Sequence, residues 1–199
     1  MPKKDYKMKN KKEQFATKKH SKLPYLIALA IMLIGGAWGG SLLFGSNSND
    51  ASDLPFGEPV TASRNYIGRT VSMTPVEPVV EAGQVMIPLE LLETHELVSF
   101  TLENSDGFQV PLMAYITPSG RIFAGSSMCE PCQGRSFFLA GETLVCESCR
   151  TTYTIESHEF LSGSQDCGRY PPVYMTTVIV DGIVNINLED ILNWRIRTY

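Results

Sequence analysis

Two identical cysteine pairs constrain this chain more than any other feature. Cys129-Glu130-Pro131-Cys132 is followed, after thirteen intervening residues, by Cys146-Glu147-Ser148-Cys149. Each C-x-x-C puts two sulfurs on one tight loop, and a turn-rich hairpin between the pairs would bring the second loop beside the first. Four converging thiolates suit zinc or an iron–sulfur centre. Other uses of the motif fit less well. Gln133 and Arg150 follow the pairs where covalent haem attachment needs His. Both pairs lie in hairpin surroundings, whereas a thioredoxin-like pair opens a helix after a strand. Disulfides are the serious alternative outside the cytoplasm. Five cysteines is an odd number for them, and closing such small loops stabilises little.

The sequence around the cysteines reads as short strands. Candidates are 85–88, 97–102, 109–116, 121–124, 136–139, 143–145, 151–155, 173–180 and 183–186, with turns at Asn104-Ser105-Asp106-Gly107, Pro118-Ser119-Gly120, Ala140-Gly141 and Asp181-Gly182. Asn187 is a possible cap for one or two helical turns over 188–194. The pattern predicts an all-β domain over 84–199, a small antiparallel sandwich or barrel with Rieske-like or rubredoxin-like metal loops. Residues 45–83 read as a linker and irregular segment, and no repeat longer than the C-x-x-C doublet stands out.

Charge divides the chain. Residues 1–22 carry nine lysines against Asp5 and Glu13, whereas the rest has eight arginines against nineteen acidic residues. Between them, residues 23–44 hold no charge and are long enough for one transmembrane helix. The basic flank predicts a cytoplasmic tail at 1–22 and a C-terminal domain outside the cytoplasm, at the cell membrane. A cleaved signal peptide is the competing reading, disfavoured by the long basic region and apolar run. The lysines beside a span suit anionic headgroups, not nucleic acid. Gly35, Gly36, Gly39 and Gly40 form overlapping G-x-x-x-G patterns that could pair two spans as a homodimer.

The loop order resembles Rieske proteins. Gly134, Tyr153 and Pro171-Pro172 stand at matching places, but Cys132 and Cys149 occupy the histidine positions. The chain more closely resembles the FtrD-like membrane iron–sulfur family, through Cys129, Cys132, Cys146, Cys149, Tyr153, Gly163, Cys167, Pro171 and Pro172 over roughly residues 84–199. It departs from that family at Ser127-Met128, where an acidic residue is usual, and at Gly168-Arg169, where Asn-Pro is usual. The resemblance implies an iron–sulfur cofactor, with [2Fe–2S] favoured and Zn the alternative. It implies partners among protein redox carriers or membrane transport components. In Rieske-like pairing, Cys129 and Cys146 would hold one iron and Cys132 and Cys149 the other, at a potential nearer the roughly −400 mV of plant-type ferredoxins than Rieske values.

Cys167 is a candidate fifth ligand or a buried packing thiol. His158 and His95 read as surface residues, and Tyr153, Phe137, Phe138 and Tyr170 as packing aromatics around the site. No Ser–His–Asp set, paired catalytic carboxylates or phosphate loop is present, so electron transfer is favoured over catalysis. A structural zinc that supports partner binding is the alternative; the N-terminal lysine pairs lack the twin-arginine signal expected for export of a folded cluster domain. Transient metal delivery is the third reading.

Overall fold

The computed structural model describes residues 55–197, and these are mostly β-structure. The uncharged run 23–44, its glycine patterns and the basic tail lie outside the described residues. No helix among the described residues is long and apolar enough to cross a membrane.

Among the described residues, thirteen strands form three sheets. β2 (Thr74–Pro75), β5 (Leu97–Glu103), β6 (Gln109–Ile116) and β7 (Ile122–Ser126) form the central sheet. Its β2–β5 pair is parallel; the other pairs are antiparallel. Alternate residues feed different cores. Val110, Leu112, Ala114 and Ile116 join one apolar cluster, while Met113 and Tyr115 join the other. Both faces are therefore covered, which explains why β6 reads as a nearly continuous apolar run.

One face meets a sheet ordered β12 (Thr177–Val180), β13 (Ile183–Asn187), β4 (Gln84–Pro88) and β3 (Val79–Glu81). This sheet contains a repeat that the sequence reading does not register. Val79 to Glu90 and Val178 to Glu189, 99 positions apart, share Val79/Val178, Gly83/Gly182, Val85/Val184, Ile87/Ile186, Leu89/Leu188 and Glu90/Glu189. Each copy is a hairpin followed by a short helix, α1 (Leu89–His95) and α3 (Leu188–Leu192). Both hairpin turns have two positive φ angles, 51° and 77° at Ala82-Gly83, 49° and 74° at Asp181-Gly182. β4 and β13 pair about Met86↔Asn185, equivalent positions of the two copies. Leu89 N–H donates to Gly182 O at 2.9 Å and Leu188 N–H to Gly83 O at 3.1 Å, so the copies are related by a local two-fold. Six identities in twelve, interrupted by a 99-residue offset, are hard to see without the pairing.

The other face meets a five-stranded sheet ordered β1 (Thr70–Ser72), β8 (Phe137–Ala140), β9 (Thr143–Cys146), β10 (Thr152–Thr154) and β11 (Phe160–Ser162). All its pairs are antiparallel. Residues 58–82, expected to be irregular, contribute β1, β2 and β3, and Tyr66 is buried in the same core. Their prolines hide the strands: Pro75 ends a two-residue edge strand, where a missing N–H costs no ladder bond. A short helix, α2 (Gln165–Gly168), follows β11. The expected helix cap is present, since Asn187 Oδ1 accepts from Glu189 N–H at 3.0 Å.

Candidate metal centre

The first cysteine loop joins β7 to β8, and the second joins β9 to β10. They are two copies of one turn. Cys129 N–H donates to Gly134 O at 2.8 Å and Cys146 N–H to Thr151 O at 3.0 Å, each five residues on. The residue after the second cysteine has positive φ in both, 58° at Gln133 and 61° at Arg150. Backbone N–H groups inside the turns point at sulfur: those of Ser148 and Cys149 at Cys146, and that of Gly134 at Cys132.

β8 and β9 bring the loops together, with Phe137 opposite Cys146. The four Sγ atoms all lie within 4.8 Å of one another. Cys129 and Cys149 are separated by 3.7 Å, and Cys132 and Cys146 by 3.9 Å. Cys129 and Cys146 are buried; Cys132 and Cys149 are partly exposed. All five cysteines are free thiols. Four sulfur donors at this spacing fit a thiolate-bound metal such as iron or zinc, with Cys129, Cys132, Cys146 and Cys149 as the residues that would hold it.

Contact between the loops depends on Gly134. A Cβ there would lie 3.0 Å from Cys146 Sγ and 2.8 Å from Ser148 Oγ. A third loop, residues 163–176 between β11 and β12, approaches at Gly125, where a Cβ would meet Val173 O at 2.0 Å. Ser126 N–H donates to that carbonyl at 2.9 Å. The third loop also delivers Cys167. It is buried on α2, and Tyr153 hydroxyl donates to its carbonyl at 2.7 Å. The Cys167 thiol is a hydrogen-bonding neighbour of Cys129, Cys149 and Cys132, but stands outside the mutually close set of four.

The thiols do not share their protons evenly. Cys146 is lowered to about 5, first by the Cys129 thiol and then by the backbone N–H groups of Cys149 and Ser148 against the cost of burial. Cys129 is raised, chiefly by the same bond to Cys146 and by burial. Burial pushes Cys132 up to about 12. Burial also raises Cys167, but the Ser164 hydroxyl and the neighbouring cysteines outweigh it and the net shift is downward. One thiolate therefore forms easily at Cys146, and metal binding must displace the protons held at Cys129 and Cys132.

Two features escape the sequence reading. Glu130, inside the first C-x-x-C, is buried, although Glu is almost never fully buried unless paired. Its Oε2 accepts from Arg197 N–H at 2.7 Å and its Oε1 from Arg197 Nε–H at 2.8 Å. Arg197 also donates to Pro171 O at 2.7 Å and lies over the Tyr170 ring at 5.3 Å. One arginine thus ties the first cysteine loop to the third loop from 67 residues away. Nothing in the sequence pairs these residues.

His158, expected at the surface, is buried against Phe123 at 4.4 Å and Phe56 at 5.0 Å. Its polar neighbours Ser157 and Glu159 misdirect the sequence reading. Nδ1–H donates to Pro172 O at 3.2 Å, and Nε2 lies 2.7 Å from the Tyr115 hydroxyl, which also lies 3.0 Å from Ile155 O. Burial lowers it to about 4, against the Pro172 bond. It anchors the third loop and is not in the mutually close set of potential metal ligands. Of the expected aromatics, Tyr153 and Phe137 are fully buried in the site core, while Phe138 is partly exposed, with Arg150 over its ring at 4.9 Å.

The model of the family described as membrane iron-sulfur containing protein FtrD-like matches residues 92–197. No curated protein and no solved structure matches the chain.

Proposed function

The chain belongs to the family of FtrD-like membrane iron–sulfur proteins, and from that premise we propose that its four-cysteine centre is a one-electron carrier. It works on the outer side of the membrane, with a protein redox partner or a membrane transport component. The observation that carries this reading is the arrangement of the sulfurs: four within 4.8 Å, two of them buried and two partly exposed. An iron–thiolate group held there supplies a one-electron couple. The remaining work belongs to the chain. Cys129 and Cys146, with Tyr153 and Phe137 behind them, keep the inner side dry. Cys132 and Cys149 present the centre's edge to solvent, where a partner can approach. The N–H groups of Ser148, Cys149 and Gly134 point at sulfur and stabilise negative charge there.

The test is a redox titration of the full chain, purified anaerobically and followed by visible absorption. A reversible one-electron step is expected, with transfer to a soluble one-electron acceptor. All four Cys→Ser variants should lose the step. A colourless chain with no step between strong oxidant and strong reductant overturns the proposal.

A further inference from the structure

We infer that the centre is built for one tetrahedral ion rather than for a [2Fe–2S] cluster; the inference rests on reading this centre as a metal–thiolate redox site. Four sulfurs about 2.3 Å from one ion stand about 3.8 Å apart at the corners of a tetrahedron. Two of the separations here are 3.7 and 3.9 Å, and none among the four exceeds 4.8 Å. A two-iron cluster places a second iron and two sulfides between the thiolate pairs, so sulfurs on different irons stand about 5.5 Å apart or more. No division of these four sulfurs into two pairs meets that requirement.

The distances do not single out the division expected from Rieske-like loop order. That order groups Cys129 with Cys146 and Cys132 with Cys149. The separations of 3.7 and 3.9 Å join the first cysteine of each loop to the second cysteine of the other, and the Cys129 and Cys146 thiols are hydrogen-bonded as well. The two loops are the same turn repeated, so exchanging them converts one short pair into the other. The sulfurs therefore surround one shared point.

Expansion to cluster size would require the loops to separate, and three features hold them. Gly134 already touches the second loop at Cys146 and Ser148. Phe137 and Cys146 are opposed in the ladder that joins the loops. Arg197 ties Glu130, between the two cysteines of the first loop, to Pro171 of the third.

Iron and acid-labile sulfide per full chain, measured after anaerobic expression in ample iron, test the inference. One iron and no sulfide is expected, with a high-spin ferric resonance when oxidised. Cobalt(II) substituted at one ion per chain should give the visible bands of a tetrahedral four-sulfur site. Two irons with two sulfides overturn the single-ion inference and leave the electron-transfer proposal standing. One zinc and no iron under the same conditions supports the single-ion site and overturns the electron-transfer proposal.

Discussion

Replacing Arg197 with Ala should loosen the centre without touching any ligand. The Glu130 side chain has no solvent exposure, and the Arg197 side chain is 37% exposed. The substitution keeps the backbone N–H bond to Oε2 but removes the Nε–H bond to Oε1, the bond to Pro171 O and the cation over Tyr170. Hydrogen bonds to charged groups contribute about 1.5–3 kcal/mol each. Breaking a buried ion pair on one side costs about 3–5 kcal/mol. Partial exposure of Arg197 screens the interaction, so the loss should be about 2–4 kcal/mol. For a chain of this size that lowers the melting temperature by roughly 5–15 °C. The assay is thermal unfolding of the metal-loaded full chain, with metal release to a chelator measured in parallel. Faster release is expected, because the first cysteine loop loses its tie to the third. Glu130→Gln removes the stranded charge, so the double variant should be less destabilised than the two single effects added together. A melting temperature within about 2 °C of the parent with unchanged metal release, or strict additivity in the cycle, would refute the clamp.

Each of Cys129→Ser, Cys132→Ser, Cys146→Ser and Cys149→Ser should lower metal content and melting temperature together, because an incomplete ligand shell loses folding energy with the metal. Cys167→Ser should retain full metal content, as Cys167 stands outside the close set; metal analysis decides both. Gly134→Ala should weaken metal binding at least several-fold in chelator competition, since its methyl group would fall 3.0 Å from a ligand sulfur; unchanged affinity would mean that the loops can separate. His158 is held neutral in the fold, lowered to about 4 by burial. Its contribution is therefore fully present above the unfolded value of about 6.5 and is lost as pH falls from there toward 4, amounting to about 3 kcal/mol. His158→Gln should flatten the stability profile between pH 7 and 5, and an unchanged slope in denaturant titrations would show that another group titrates.

The sequence alone determined which four cysteines are candidate ligands, and much of the β-structure. C-x-x-C doublets are local: two residues between cysteines force a tight turn, and the β8–β9 hairpin that unites the loops is itself short-range. The strands over 109–116, 143–146 and 183–187 were legible for the same reason, through apolar runs ending at turn residues. Other features depended on distance in the chain. Nothing in the sequence pairs Glu130 with Arg197, and only the fold buries the carboxylate against a partner 67 residues away. His158 sits in a polar stretch, and only the packing of Phe56 and Phe123 around it takes it out of water. The repeat at 79–90 and 178–189 becomes visible when β4 and β13 pair about their equivalent centre. Sulfur spacing likewise belongs to tertiary structure: the motif sets the two sulfurs within one loop, but how closely two loops approach depends on Gly134, the hairpin register and the third loop packed behind them.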